Sequence, residues 1–141
     1  MKDFAELILA LDSTTKTTGK LEAMVNFLNQ ADDQDKLWFV ALLSGKRPKR
    51  PVKTTLLREW SAEMAGLPLW LLEESYHVVG DLAETVALIL PEKESSSEKS
   101  LSTRMEELIS LRKKEEEEIK NYLQEAWAEM NTTERFVFNK L

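Results

Sequence analysis

Cysteine is absent from these 141 residues, histidine occurs once (His77), and glycine and proline occur four times each. Without cysteine there is no disulfide and no thiolate metal site. A single histidine excludes a His-cluster zinc site and any pair of histidines acting as acid and base. So few glycines and prolines leave little room for the many tight turns of a β-sandwich or barrel. No apolar run approaches the roughly 18 residues of a membrane span. The first such run, Leu7–Leu11, is too short for a signal peptide and has no cleavage site after it. These absences predict a soluble, cytoplasmic chain with no membrane contact. Gly-rich phosphate loops of the P-loop and dinucleotide kinds are also missing.

What is present is charge and helical periodicity. Charged residues make up 31% of the chain and the net charge is −6. Between Lys46 and Arg58 stand six cations (Lys46, Arg47, Lys49, Arg50, Lys53, Arg58) and no acid, which leaves −12 for everything else. Local fields, not net charge, steer polyanions. Pro48 and Pro51 remove two backbone donors and disfavour helix, so this segment reads as an extended loop. A phosphate backbone fits such a loop, and so does a turn kept soluble by its charge.

Apolar residues recur at helical spacing nearly throughout. Phe4, Leu7, Ile8 and Leu11 mark a first helix; Leu21, Met24, Val25 and Leu28 mark a second. Asp32 or Asp33 is a candidate N-cap for a helix through Leu43, and Thr54 or Thr55 for one over Leu56–Ala65 closed by Gly66. Pro68 suits the first turn of a helix ending at Gly80. Asp81 with Glu84, Thr103 with Glu106 and Asn131 with Glu134 have capping-box spacing ahead of apolar stretches. The polar, Ser-rich segment Pro91–Ser100 reads as a surface loop. Arg112–Glu118 (RKKEEEE) interrupts the apolar stripe and predicts a junction between two helices. The expected architecture is all-α, an irregular bundle of about seven to eight helices with no sheet, forming one domain over 1–141. The final helix reaches Leu141 with no cap and with Phe136, Val137 and Phe138 apolar on more than one side. That pattern predicts a native chain continuing beyond Leu141.

Catalytic constellations are scarce. Glu115–Glu118 spread around a helix as a solvated face, and His77 has no second His or Cys to work with. Trp38, Trp60, Trp70 and Trp127 all fall on apolar helical faces and read as core anchors. No catalytic and no metal-ligating residue is assigned. Binding remains. Beside the basic loop, Ser13–Lys20 (STTKTTGK), with Thr14 and Lys16, joins hydroxyls and lysines between two helices. It fits either a phosphate contact or an ordinary Ser/Thr-capped junction.

Four segments, Phe4–Met24, Leu42–Arg50, Leu71–Leu90 and Ala126–Leu141, together with the Gly80-Asp81-Leu82 turn and the closing ERFVFNKL, carry a resemblance. The chain resembles the N-terminal helical DNA-binding domain of ATP-dependent DNA ligases of the bacterial, single-chain type. The resemblance implies sequence-independent binding of nicked double-stranded DNA through phosphate and minor-groove contacts, in repair or replication, at the nucleoid. It places Lys16, Lys46, Arg47, Lys49, Arg50 and Lys140 against DNA, beside Thr14 and Lys53 of the two basic segments. It also implies a downstream adenylation domain using ATP and Mg²⁺ through a K-x-D-G lysine, and an OB-fold domain. Neither K-x-D-G nor the R-x-G expected after the tail occurs here, so this piece is expected to hold no cofactor, to be monomeric and not to ligate alone. The alternative is a helical protein-interaction module with no nucleic-acid role, motivated by the acidic balance and the Arg112–Glu118 segment.

Overall fold

A computed structural model describes residues 1–46, 48, 52–96 and 98–141. Among them the chain is all-α, with nine α-helices and no strand. They are α1 (Lys2–Ser13), α2 (Thr17–Gln30), α3 (Asp33–Leu43), α4 (Thr54–Ala65), α5 (Leu69–Val79), α6 (Leu82–Ile89), α7 (Leu101–Ser110), α8 (Glu116–Glu129) and α9 (Thr132–Lys140). A 3-10 turn, Leu111–Lys113, separates α7 from α8 at the RKKEEEE interruption, as expected from the broken stripe. The reason is local. Lys114 is extended (φ −93°, ψ 158°), so the chain leaves one helix before Glu116 begins the next.

Four helix starts follow capping chemistry. Asp32, Asp81, Ser100 and Asn131 each accept a hydrogen bond from the backbone N–H three residues on, at 2.8, 3.2, 3.2 and 2.8 Å. At Asn131 the box is complete, because the Glu134 carboxylate accepts from the Asn131 N–H at 3.3 Å. Ser100, not Thr103, starts α7: the Ser100 hydroxyl takes the Thr103 N–H, and the apolar face already begins at buried Leu101. Gly66 and Gly80 close α4 and α5 with φ of +69° and +81°, a region costly to any residue carrying a Cβ.

The core runs through every helix. Helix α9 lies at its centre, packed on α6 and on α1, while α4 bridges α5, α6 and α8. Trp127 of α8 is wholly buried, and its indole N–H donates to Asn139 Oδ1 at 2.8 Å. Trp60 is also buried, whereas Trp70 is 66% exposed, which corrects its reading as a core anchor. Helix α5 turns only one narrow face inward, centred on Leu72, and Trp70 projects from the other side.

Charged groups enter the core with polar partners beside them. Arg135 donates from Nε to the Trp127 carbonyl at 2.8 Å and from Nη1 to the Pro91 carbonyl at 2.7 Å. Arg104, 1% exposed, pairs with Glu129 at 2.8 Å. Burial pushes the neighbouring Tyr122 hydroxyl up to about 12. The described residues of the Pro91–Ser100 segment, 91–96 and 98–100, form a surface loop as expected. It is stitched back onto the end of α8, with the Ser96 N–H donating to the Glu129 carbonyl at 2.9 Å and the Lys93 ammonium donating to the Ala128 carbonyl.

Replacing Trp127 with Ala removes the largest buried side chain and its hydrogen bond to Asn139 Oδ1, and is expected to cost about 3–5 kcal/mol in urea unfolding followed by circular dichroism. A loss below ~1 kcal/mol would contradict this account of the core.

Candidate nucleic-acid interface

The basic segment leaves α3 through a Schellman turn. Gly45, at φ +79°, donates to Leu42 O at 3.1 Å, and the Lys46 N–H donates to Ala41 O at 2.9 Å. The Lys46 backbone is thereby satisfied while its side chain stays exposed. At the other end Val52 is half buried with Leu57, Leu108, Leu123, Phe138 and Leu141 around a small gap of about 30 Å³. Both ends of the segment are therefore fixed to the core. Arg47, Lys49 and Arg50 lie outside the described residues.

Helix α4 starts one residue before its expected caps. Lys53, in extended conformation, is the N-cap, its carbonyl accepting from Leu56 and Leu57 at 3.1 and 3.2 Å, and no side chain caps the helix. Neither Thr54 nor Thr55 serves as the N-cap, and both are exposed. Helix α2 repeats the arrangement. Lys16 is its N-cap, also extended and without a side-chain cap hydrogen bond, and Thr17 and Thr18 follow, exposed. The tripeptide Lys-Thr-Thr thus occurs twice, and both times it opens a helix with no acid in the first turn. A positive helix end favours an anion, and a lysine there is opposed by the dipole. Thr14 stands beside the first of these sites. Its hydroxyl accepts from the Lys16 N–H at 3.3 Å and lies so near α2 that a Cβ on Gly19 would come within 3.0 Å of it. The identical tripeptides were the signal in the sequence that would have found this pairing.

Among the described residues Lys16, Lys46 and Lys53 are exposed and form no ion pair. Two other cations are engaged. Arg58 pairs with Glu73 at 3.3 Å and lies over the Tyr76 ring at 5.1 Å, so it does not extend the free basic surface. Lys140 bonds Asp81 at 3.0 Å and covers the Phe136 ring at 4.7 Å. Lys140 and Asp81 line a cleft of about 440 Å³ whose opposite wall includes Thr54, Arg58 and Tyr76. The cleft brings Lys140 to the first turn of α4, next to Lys53. Thr14 and Lys16 do not line that cleft. A second groove, about 560 Å³, is lined by both Lys53 and Lys114.

Burial tends to raise the Asp81 carboxyl, but the hydrogen bond from Lys140 and the backbone N–H of Glu84 outweigh it and hold the group below its ordinary value of 3.8. Among the described residues no group of three or more acidic or imidazole side chains converges to hold a metal ion.

A family model described as DNA ligase N terminus matches residues 1–141, the whole sequence. The chain belongs to the DNA ligase N-terminus family. No curated relative and no solved structure matches it. Membership in this family agrees with a helical chain that exposes lysines at two helix starts, and it points to an interaction with DNA. Among the described residues no helix is long and apolar enough to cross a membrane.

Replacing Lys16 or Lys53 with Asp supplies an ordinary N-cap at a positive helix end and is expected to raise stability by about 0.5–2 kcal/mol each. A drop in the thermal midpoint would refute the capping argument. Because the folded-state value of Asp81 is depressed, its contribution is full at neutral pH and is lost as pH falls below the ordinary carboxylate range. Asp81→Asn keeps a capping side chain but removes the charge, so its stability should decline less steeply than the parent's in melts between about pH 4 and pH 2.

Proposed function

We propose that the chain binds duplex DNA around a nick, independently of sequence, as the N-terminal domain of an ATP-dependent DNA ligase acting in repair or replication. The observation carrying this reading is the repeated Lys-Thr-Thr helix start, found within a chain of this family. Each copy offers a phosphate oxygen one ammonium group, two hydroxyls and a positive helix end. These groups read the sugar–phosphate backbone and carry no base-specific information. Lys46 and Lys53 flank Arg47, Lys49 and Arg50 in the sequence, so the segment adds concentrated positive charge just ahead of the second copy. Lys140 joins from the far side of the cleft if DNA draws it from Asp81.

ATP and Mg²⁺ belong to a different part of such a ligase in this reading. No K-x-D-G lysine is present to accept AMP, and the described acidic side chains do not converge on a metal position, so these residues do not fit the cofactor and no step runs through it. The 141 residues alone are expected to bind nicks and not to seal them.

The test is fluorescence anisotropy with a nicked duplex across a salt series. Each phosphate contact contributes about −0.9 to the slope of log K against log[salt]. Changing Lys46, Arg47, Lys49 and Arg50 together to Ala should flatten that slope by about 2–4. Lys16→Asp and Lys53→Asp should weaken binding while stabilising the fold. No binding at low salt would favour the protein-interaction alternative.

A further inference from the structure

We infer that the basic turn Arg112–Lys114 continues the DNA contact begun at Lys53, and that the groove between them seats the sugar–phosphate backbone of one strand. The inference rests on the duplex-binding reading above. Lys53 at the start of α4 and Lys114 after the 3-10 turn line the same groove of about 560 Å³, although they are far apart in the chain. Its other lining residues are Val52, Thr55, Leu56, Trp60, Glu116 and Ile119. Arg112, Lys113 and Lys114 are all exposed and form no ion pair among the described residues.

That freedom needs explaining, because Glu115–Glu118 follow immediately. In an unbroken helix Lys114 and Glu118 would be i,i+4 neighbours and would neutralise each other. The extended backbone at Lys114 places it off the helix, and the acids Glu116, Glu117 and Glu118 fall in the first turn of α8, where the dipole favours them. Cations and acids adjacent in sequence are thereby kept off a shared helix face, although Glu116 still reaches the groove that Lys114 lines. Lys114 shares the groove with Lys53, so positive charge stands at both the start of α4 and the turn before α8. An apolar floor of Val52, Leu56 and Ile119 between flanking lysines matches a strand of deoxyribose and phosphate, whose sugar faces are apolar and whose charges lie at its edges. Glu116 is the discordant member. Its carboxylate opposes a phosphate in the groove, and it supplies a test that strengthens binding instead of removing it.

Three measurements on the intact 141 residues decide the matter. The triple change Arg112→Ala, Lys113→Ala and Lys114→Ala should lower the salt slope by about 0.9 for each phosphate that these side chains neutralise in the parent, with the helical circular dichroism unchanged. Glu116→Gln should tighten binding several-fold at low salt. Because the chain has no cysteine, Lys114→Cys and Lys53→Cys can each carry a single iron–EDTA group, and the two should cut the same duplex within a few nucleotides of each other. If the Lys46–Arg50 variant loses affinity while the triple variant and Glu116→Gln match the parent, the turn is outside the interface and the inference fails, with the duplex reading intact. If the unaltered chain binds no duplex, the duplex reading fails first. If the triple variant alone loses a titratable acidic protein partner, the groove serves protein instead, and the inference fails on that count.

Discussion

The Arg135 guanidinium joins the starts and ends of three helices that share no local sequence. From α9 it reaches the last carbonyls of α8 at Trp127 and the chain leaving α6 at Pro91. A guanidinium this deeply buried is tolerated only because carbonyls meet its donors, and once placed it holds those carbonyls at fixed positions. Its desolvation is severe enough to lower its own proton affinity. Helix α9 is therefore locked between α6 and α1, and its far end, with Phe138 and Leu141, forms the seat into which Val52 packs. The position of Val52, and with it the start of α4 at Lys53, is fixed by that anchor. A series of packed neighbours thus leads from one buried cation to several exposed ones.

The exposed cations at the starts of α2 and α4 break the capping rule that four other helices obey. Four helices open on Asp, Ser or Asn with ordinary capping hydrogen bonds, while α2 and α4 open on lysine. Each such start costs on the order of 0.5–1 kcal/mol of foregone capping and dipole energy. Departures of this kind concentrate where a surface serves something other than stability. A phosphate at either position removes the conflict, because it supplies the acceptor that the helix start lacks.

An acidic remainder of −12 is compatible with binding a polyanion as long as the two signs are kept apart. At physiological salt, charges more than about 8 Å distant are largely screened. What a phosphate meets is then the nearest few side chains. The break at Lys114 shows how part of that separation is made: it interrupts a run of seven charged residues, leaving the three cations before α8 and Glu116, Glu117 and Glu118 in its first turn.

Much of the fold could be read in the sequence because helix periodicity and caps are local. The spacing at Phe4–Leu11, the Gly66 and Gly80 stops, the Asn131–Glu134 box and the RKKEEEE junction each depend on residues within a turn of one another. Errors arose where two local signals competed. Ser100 displaced Thr103 because Leu101 had to be buried, and Trp70 faced outward because α5 contributes only a narrow inner face. Of the candidate site, the charge of the Lys46–Lys53 segment and of Lys16 was legible in the sequence. The sequence by itself settled the helical class, the family pattern and where positive charge collects, since those follow from residue type and short spacing. Only the tertiary structure decided which cations remain free: pairing Lys140 with Asp81 and Arg58 with Glu73, and bringing Lys114 beside Lys53, depends on how distant helices pack, and no local pattern encodes that distance.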